Sequence, residues 1–569
     1  MRWFPNLHEF RTISALRTRV SNALRPLVDP NTLRGCAPGI VALALFPFLA
    51  VLIRLELNES LFGDTLVFQY TGWCIRHGMK LYRDIGTADG PFIDYLQAAI
   101  QNAVGLEDRS FRKADLFLHV TCAAAMGALI APNLRLPPAG RIAQRLAWAA
   151  LVSSIWLSWY LTLDWTITTE RETFYTLFAS LGTILVYVSP NYEARAARIF
   201  TFLGGFVVTT QIFGKPTGVV YVLMGGLIAV LTDAKAMAPR RGSVRMFAAG
   251  AGTCVACVLL ALAASGSIPG YFFWCVKIPY YGNRFLFGIE WLPLLFSRED
   301  QVRAIALTAL VTGVAAVASK LLPRRALPLA FTPPLLFLGF CLQARGYNYQ
   351  AVPAAGASYV VFLAILASLW QGNAESRWAP HRGALATAAL VYAASQSLDS
   401  IQKSPYHWNG DKNAWTTPKA EFAAAERKVG IFLREHTQPD DRLFVYSAGE
   451  NAHVVLLTAQ RRTVSPFFHS FWLDPIGLLP QSKIQPDTKQ LANLEELQTR
   501  IRSIACAAVE NGHPAAMAFN LLEQVFKVCP NIKSMLETQY QDAIITDGFR
   551  IYMRNAAASK ESSPGRRVP

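Results

Sequence analysis

Residues 63–78 read GDTLVFQYTGWCIRHG, and they begin a few residues after a long apolar run, 37–57, has ended. An acid, Asp64, thus stands at the edge of what reads as a membrane span. The stretch after it is neither a clean span nor a clean loop, and its meaning depends on the topology of the whole chain.

Of the 569 residues, 52% are hydrophobic and only 16% charged, and the mean hydropathy is +0.26. That balance excludes an ordinary soluble protein and predicts a membrane protein. Apolar stretches long enough to cross a bilayer are expected at 37–57, 112–132, 144–162, 171–189, 197–213, 216–233, 245–265, 303–319, 326–343, 351–370 and 383–398, eleven in all. They then stop. The predicted organisation is a basic N-terminal segment (1–36), an all-α polytopic domain (37–398) and a soluble domain (399–569).

The net charge of +16 follows from membrane topology and not from a nucleic-acid partner. Arg2, Arg11, Arg17, Arg19, Arg25 and Arg34 precede the first run, which lacks a small-residue cleavage site and reads as a retained span. With this end in the cytoplasm, the connections carrying Arg135, Arg141 and Arg145, Arg195 and Arg198, Lys235, Arg240, Arg241 and Arg245, and Lys320, Arg324 and Arg325 are cytoplasmic too. An odd number of spans sends the tail to the other side, with two long loops, 58–111 and 266–302. In those loops PFIDYLQAAIQNAV (91–104) and RFLFGIEWLPLLF (284–296) suit helices lying along the membrane surface.

The tail mixes both periodicities. Thr417 as N-cap and Pro418 at the first helical position open a helix with Phe422, Val429, Phe432 and Leu433 on one face. RLFVYSA (442–448) and FRIYMR (549–554) read as strands, and 488–512 and 514–537 as helices, so a small α/β module is expected. The nine cysteines form no metal-spacing motif. Cys506 and Cys529 share the tail and are either a disulfide in an oxidising compartment or two reduced core thiols.

Chemistry is expected on the outer face. Asp64 either caps the following helix or serves as a reactive carboxylate. In LDWTITTERETF (163–174), Asp164, Glu170 and Glu172 crowd one outer turn. One of these acids could act as general base while another orients an acceptor or holds a divalent cation such as Mg or Mn. Alternatively, Thr168 or Thr169 caps a helix with Glu172 in its first turn. Lys215 in FGKPTG (213–218) either meets a lipid-linked phosphate or snorkels to the headgroups. Arg345, Tyr347 and Tyr349 follow the ninth span in QARGYNYQAVP (343–353). No residue is assigned to a metal.

Four stretches resemble the GT-C superfamily of membrane glycosyltransferases, in the bacterial branch similar to protein mannosyltransferases and lipid A aminoarabinose transferases. FGDTLVFQYTGWCIRHGMKLYRDIGTADGPFIDYL (62–96) is similar to that family's first outer loop, and FGKPTGVV (213–220) to its Thr-Lys-Gly-Pro turn. RGYNYQAVPAAGASYVVFLA (345–364) is similar to the start of a late span, and FLREHTQPDDRLFVYSAGENAHVVLLTAQRR (432–462) to the start of its soluble domain. Departures are Thr65 after Asp64, where the family often has Glu, and Lys-Pro-Thr-Gly in the turn. The resemblance implies a GT-C-like fold of about eleven spans and a polyprenyl-phosphate sugar as donor. It also implies a lipid, glycan or protein acceptor, inversion at the anomeric carbon, and a bacterial inner membrane with a periplasmic tail. Asp64 would be the catalytic base, Glu170 the second acid, and Lys215, Arg345 and Tyr349 the donor-phosphate contacts. Tyr82, Arg83, Asp84, Asp164 and Tyr347 would be cavity walls. The rival class is a transporter or flippase of polyprenyl-linked glycans; a scaffold displaying the tail ranks third.

Overall fold

The computed structural model describes residues 30–132, 134, 136–163, 167–234, 242–280, 285, 290–297, 300–344, 347–371, 423–447, 451–467, 473–482, 484–541 and 544–555. Asp164, Arg345, Thr417, Phe422, the span expected at 383–398 and the boundary at 398/399 lie outside the described residues.

The ten other expected spans are helices: Pro30–Glu56 (α1), then, after the two loop helices Gly63–Arg76 (α2) and Pro91–Val104 (α3), Asp108–Ile130 (α4), Pro138–Tyr160 (α5), Arg171–Val188 (α6), Ala194–Thr210 (α7), Val219–Asp233 (α8) and Ser243–Ala264 (α9). After Ile268–Phe272 (α10) and Trp291–Ser297 (α11) come Asp300–Ala318 (α12), Leu327–Leu342 (α13) and Val352–Gln371 (α14). Among the described residues, eight helices are long and apolar enough to cross a membrane. This is an all-α multi-pass membrane domain. Helix α5 carries Gln144, Ser153, Ser154 and Ser158, all buried in the bundle; Gln144 Nε2 donates to the Pro132 carbonyl (2.8 Å) and Ser153 Oγ to the Val120 carbonyl of α4 (3.3 Å), so that protein and not lipid satisfies them.

The two ends of the bundle differ. At one end, Arg325 donates to the Tyr187 carbonyl (3.3 Å) and to Asn191 Oδ1 (3.2 Å), and Arg145 lies over the Tyr192 ring. At the other, α2 and the start of α4 meet the soluble domain. Tyr70 of α2 donates to the Arg461 carbonyl (3.2 Å) and accepts from the Thr463 amide (2.9 Å), while Arg427 pairs with Asp108 at 3.0 Å.

The soluble domain is α/β. Strands Arg442–Tyr446 (β1), Arg462–Thr463 (β2), Ala516–Phe519 (β3), Ile544–Thr546 (β4) and Phe549–Met553 (β5) form one sheet in the order β2-β1-β3-β5-β4, parallel across the first three and antiparallel beyond. Helices Ala424–His436 (α15), Ala452–Ala459 (α16), Thr488–Gly512 (α17), Leu522–Val528 (α18) and Asn531–Gln539 (α19) accompany it. Val429 and Leu433 are buried on the inner face of α15. The helix expected over 514–537 is instead a strand followed by two short helices. Ala516, Met517, Ala518 and Phe519 are all buried between β1 and β5, so pairing on both sides overrides the helical preference of Ala and Met. Cys506 and Cys529 are joined in a disulfide.

Candidate active site

Four carboxylates and two cations meet at the end of the bundle that faces the soluble domain. Asp64 lies in the first turn of α2, whose N-cap is Phe62. It is therefore not the capping residue, and its carboxylate turns toward Arg171 (3.7 Å) and accepts from the Tyr349 hydroxyl (3.4 Å). Gly63 before it has φ +51°, a left-handed conformation that glycine adopts without strain. A methyl group there would lie 3.7 Å from Glu170 Oε1, so the Glu170 carboxyl sits directly beneath this turn.

Arg171 is the hub. Its guanidinium pairs with Asp64, with Asp89 and, at 3.1 Å, with Glu172. It also lies over the rings of Phe68 and Tyr349 at 5.5 and 5.8 Å. A buried guanidinium tolerates this position only because several carboxylates compensate it. Lys215, in the turn between α7 and α8, donates to Glu172 Oε1 at 2.6 Å and lies 6.0 Å from the centre of the Tyr349 ring. It is thus held by an acid, and does not snorkel. Burial pushes the Lys215 amine below its usual range, against the pull of Glu172.

Glu170, and neither Thr168 nor Thr169, occupies the N-cap position of α6, without a capping hydrogen bond; Glu172 falls in the first turn as expected. Burial, reinforced by the carboxylates of Asp64 and Glu172, raises the Glu170 carboxyl well above the usual range and favours its neutral form. The preceding Thr169 has φ +67°, a conformation unfavourable for a β-branched residue by about 1–2 kcal/mol. It is held there by its amide donating to Tyr160 OH (2.9 Å) and by its hydroxyl meeting that of Thr65 at 3.2 Å. Strain at this turn fixes where Glu170 points.

Asp89 arrives on the loop between α2 and α3. Its carbonyl accepts from Tyr82 OH (2.5 Å) and Cys275 Sγ (3.0 Å), which leaves its carboxylate aimed at Arg171. Burial raises its pKa, with Arg171 opposing.

Of the residues expected from the sequence, Asp64, Glu170, Glu172, Lys215 and Tyr349 are brought together. Tyr347 stacks on Tyr349 with centroids 5.5 Å apart. Tyr82 is buried and braces Asp89 from behind. Arg83 and Asp84 pair with each other on the exposed side of the loop, where Asp84 also accepts from the Lys80 amide. Arg171 and Asp89 were not singled out in the sequence. For Arg171 a signal existed: Glu-Arg-Glu at the mouth of an apolar span is costly unless used. Among the described residues no group of three or more His, Cys, Asp or Glu is arranged for a metal ion.

No protein-family model matches the chain, and no curated protein does. The likeness lies in solved structures. ArnT from Cupriavidus metallidurans bound to undecaprenyl phosphate is similar at 12% identity, covering 91% of this chain and 98% of that one, with a TM-score of 0.49. Its apo form is similar at 13% identity, with the same coverage and a TM-score of 0.47. An Archaeoglobus fulgidus oligosaccharyltransferase is similar at 12% identity over 87% of this chain and 71% of that one, with a TM-score of 0.44. These proteins belong to the superfamily that the sequence resembles. At such identities and scores the likeness carries no residue roles.

Proposed function

We propose that the chain is a GT-C-type membrane glycosyltransferase that moves a sugar from a polyprenyl-phosphate donor to an acceptor with inversion at the anomeric carbon. The observation that carries this reading is the convergence of Asp64, Arg171, Lys215 and Tyr349 from separate connections at one membrane edge, beneath a soluble domain. An acid there is within reach of a water-borne acceptor and of a lipid-anchored donor at once.

The chemistry follows from the groups. The acceptor's nucleophilic atom attacks the anomeric carbon as the bond from that carbon to the phosphate oxygen breaks, and the electron pair leaves with the phosphate. Asp64 takes the acceptor proton, a step worth about 10²- to 10⁴-fold for one well-placed carboxylate. Lys215, with Tyr349 and Arg345, receives the phosphate, whose negative charge replaces Glu172 as partner of the ammonium. A neutral Glu170 adds no further negative charge beside Asp64 and the incoming phosphate. Burial of the cluster excludes water, which would otherwise compete as acceptor.

The basic connections at the opposite end support a cytoplasmic N-terminus, and the tail disulfide supports an oxidising outer compartment. On this reading the protein sits in a bacterial inner membrane with residues 399–569 in the periplasm. A transporter would place its substrate-binding polar groups near the middle of the spans; the charged groups gathered around Arg171 lie instead at helix starts and in connections.

The test uses purified full-length protein in lipid nanodiscs with undecaprenyl-phosphate sugars, alongside glycan and lipid profiles of a deletion strain. Asp64→Asn is expected to lower transfer by about 10²- to 10⁴-fold with thermal unfolding unchanged. Full activity of Asp64→Asn removes its role as base, and an unaltered profile in the deletion strain overturns the transferase reading.

A further inference from the structure

Behind Lys215 lies a narrow cavity walled by Glu172, Tyr175, Gln211, Lys215, Tyr221 and Gln350. Its free volume of about 20 Å³ holds one group the size of a water molecule. Glu172, Tyr175, Gln211 and Gln350 are each at most 4% exposed. Each carries an oxygen without a hydrogen-bond partner: Glu172 Oε2, Tyr175 OH, Gln211 Oε1 and Gln350 Oε1. One such atom is unfavourable by about 1–3 kcal/mol, so four around a single cavity mark a place built for a polar guest.

The chemistry of the walls defines the guest. Three of the four oxygens only accept hydrogen bonds, so the guest must donate. The Gln211 amide nitrogen is committed to the Val207 carbonyl (3.3 Å) and to Thr210 Oγ1 (2.8 Å), which fixes its oxygen as the free end. An ammonium would donate too, but Lys215 Nζ already places a positive charge beside this space. A hydroxyl fits both demands, donating to an amide oxygen while accepting from Tyr175 OH or Lys215 Nζ.

We propose that this cavity receives one hydroxyl of the transferred sugar while Lys215 holds the donor phosphate, and that Gln211, Gln350 and Tyr175 thereby determine which sugar is used. The proposal rests on the donor reading above. The cavity is too small for a sugar ring, so the ring stays between Lys215 and Asp64 and only one substituent enters.

The experiment measures kcat/KM of the full-length protein in nanodiscs with undecaprenyl-phosphate hexoses and pentoses and their monodeoxy analogues. Wild type is expected to reject one deoxy position by at least about 100-fold, as sites built around a substrate hydroxyl do. Gln211→Met and Gln350→Met, of similar volume, are expected to transfer the sugar yet lose most of that discrimination. Tyr175→Phe deletes one oxygen with no change in ring packing and is expected to weaken discrimination with thermal unfolding unchanged. Wild type that treats every deoxy donor alike, or folded variants that keep its preference, overturns the subsite and leaves the transferase reading intact. Folded wild type that transfers from none of these donors overturns both.

Discussion

Asp94, in the first turn of α3, is fully buried and accepts from the hydroxyls of Thr71 and Thr87. Burial, with Asp89 adding to it, pushes its pKa up to about 8. The folded state therefore holds this proton across a pH range in which an unfolded carboxylic acid has lost it. Stability falls as pH rises from the ordinary carboxylate range toward 8, by about 1.4 kcal/mol for each unit separating the two values. Asp94→Asn keeps an acceptor for Thr71 and removes the proton. The excess of the variant's unfolding temperature over that of wild type is expected to grow from pH 4 to pH 9; a difference that stays constant with pH would refute the assignment. At the same scale, Arg171 and Thr169 show how single residues set the site: one guanidinium gathers three carboxylates, and one left-handed threonine aims a fourth.

The loop between α2 and α3 is the element on which the site's geometry hangs. Its Gly86 lies against the indole of Trp274, so that any side chain there would collide with the ring. Trp274 belongs to a π-helical turn, Phe273–Lys277, a distortion that recurs at functional sites. The other side of Trp274 rests on Phe467 of the soluble domain, with ring centroids 4.6 Å apart. Phe467, Trp274 and Gly86 thus form a brace from the soluble domain to the loop that carries Asp89. Gly86→Ala should shift that loop and lower kcat by as much as about 10²-fold, the penalty typical of a displacement near 1 Å. The double variant Gly86→Ala/Trp274→Leu, which restores space, should recover part of the loss. Additive losses in a double-mutant cycle would show that the brace does not act through this contact.

At the scale of the whole molecule, the bundle and the soluble domain are joined through α2 and the start of α4. Tyr70 reaches across the junction to both the carbonyl of Arg461 and the amide of Thr463, and the Asp108 pair with Arg427 closes the same seam. Within the soluble domain the Cys506–Cys529 disulfide ties α17 to the segment between α18 and α19, across 23 residues. Cross-links over loops of this length contribute about 3 kcal/mol. Cys506→Ser is expected to lower the unfolding temperature of the soluble domain and to make wild type and variant converge under reductant. Equal unfolding temperatures without reductant would mean that the pair is not joined in the native protein.

The sequence by itself determined the membrane class, ten helices close to where spans were expected, eight of them long and apolar enough to cross a membrane, the α/β character of the tail and five of the acids, bases and aromatics that meet in the cluster. Those features are encoded locally: runs of apolar residues, positive charges beside them, and polar residues stranded at span ends. Tertiary structure decided what local pattern does not carry. Ala516–Phe519 became a strand because neighbours pair on both sides of it, and Arg83 and Asp84 faced outward because Tyr82 turned inward to Asp89. Arg171 and Asp89 joined the cluster, and Gln211 and Gln350 the cavity beside it, because connections far apart in sequence end at one edge of the bundle. The physical reason is that a buried charge is tolerable only beside its counter-charges, and apart from Glu172 next to Arg171 those lie tens of residues or more away along the chain.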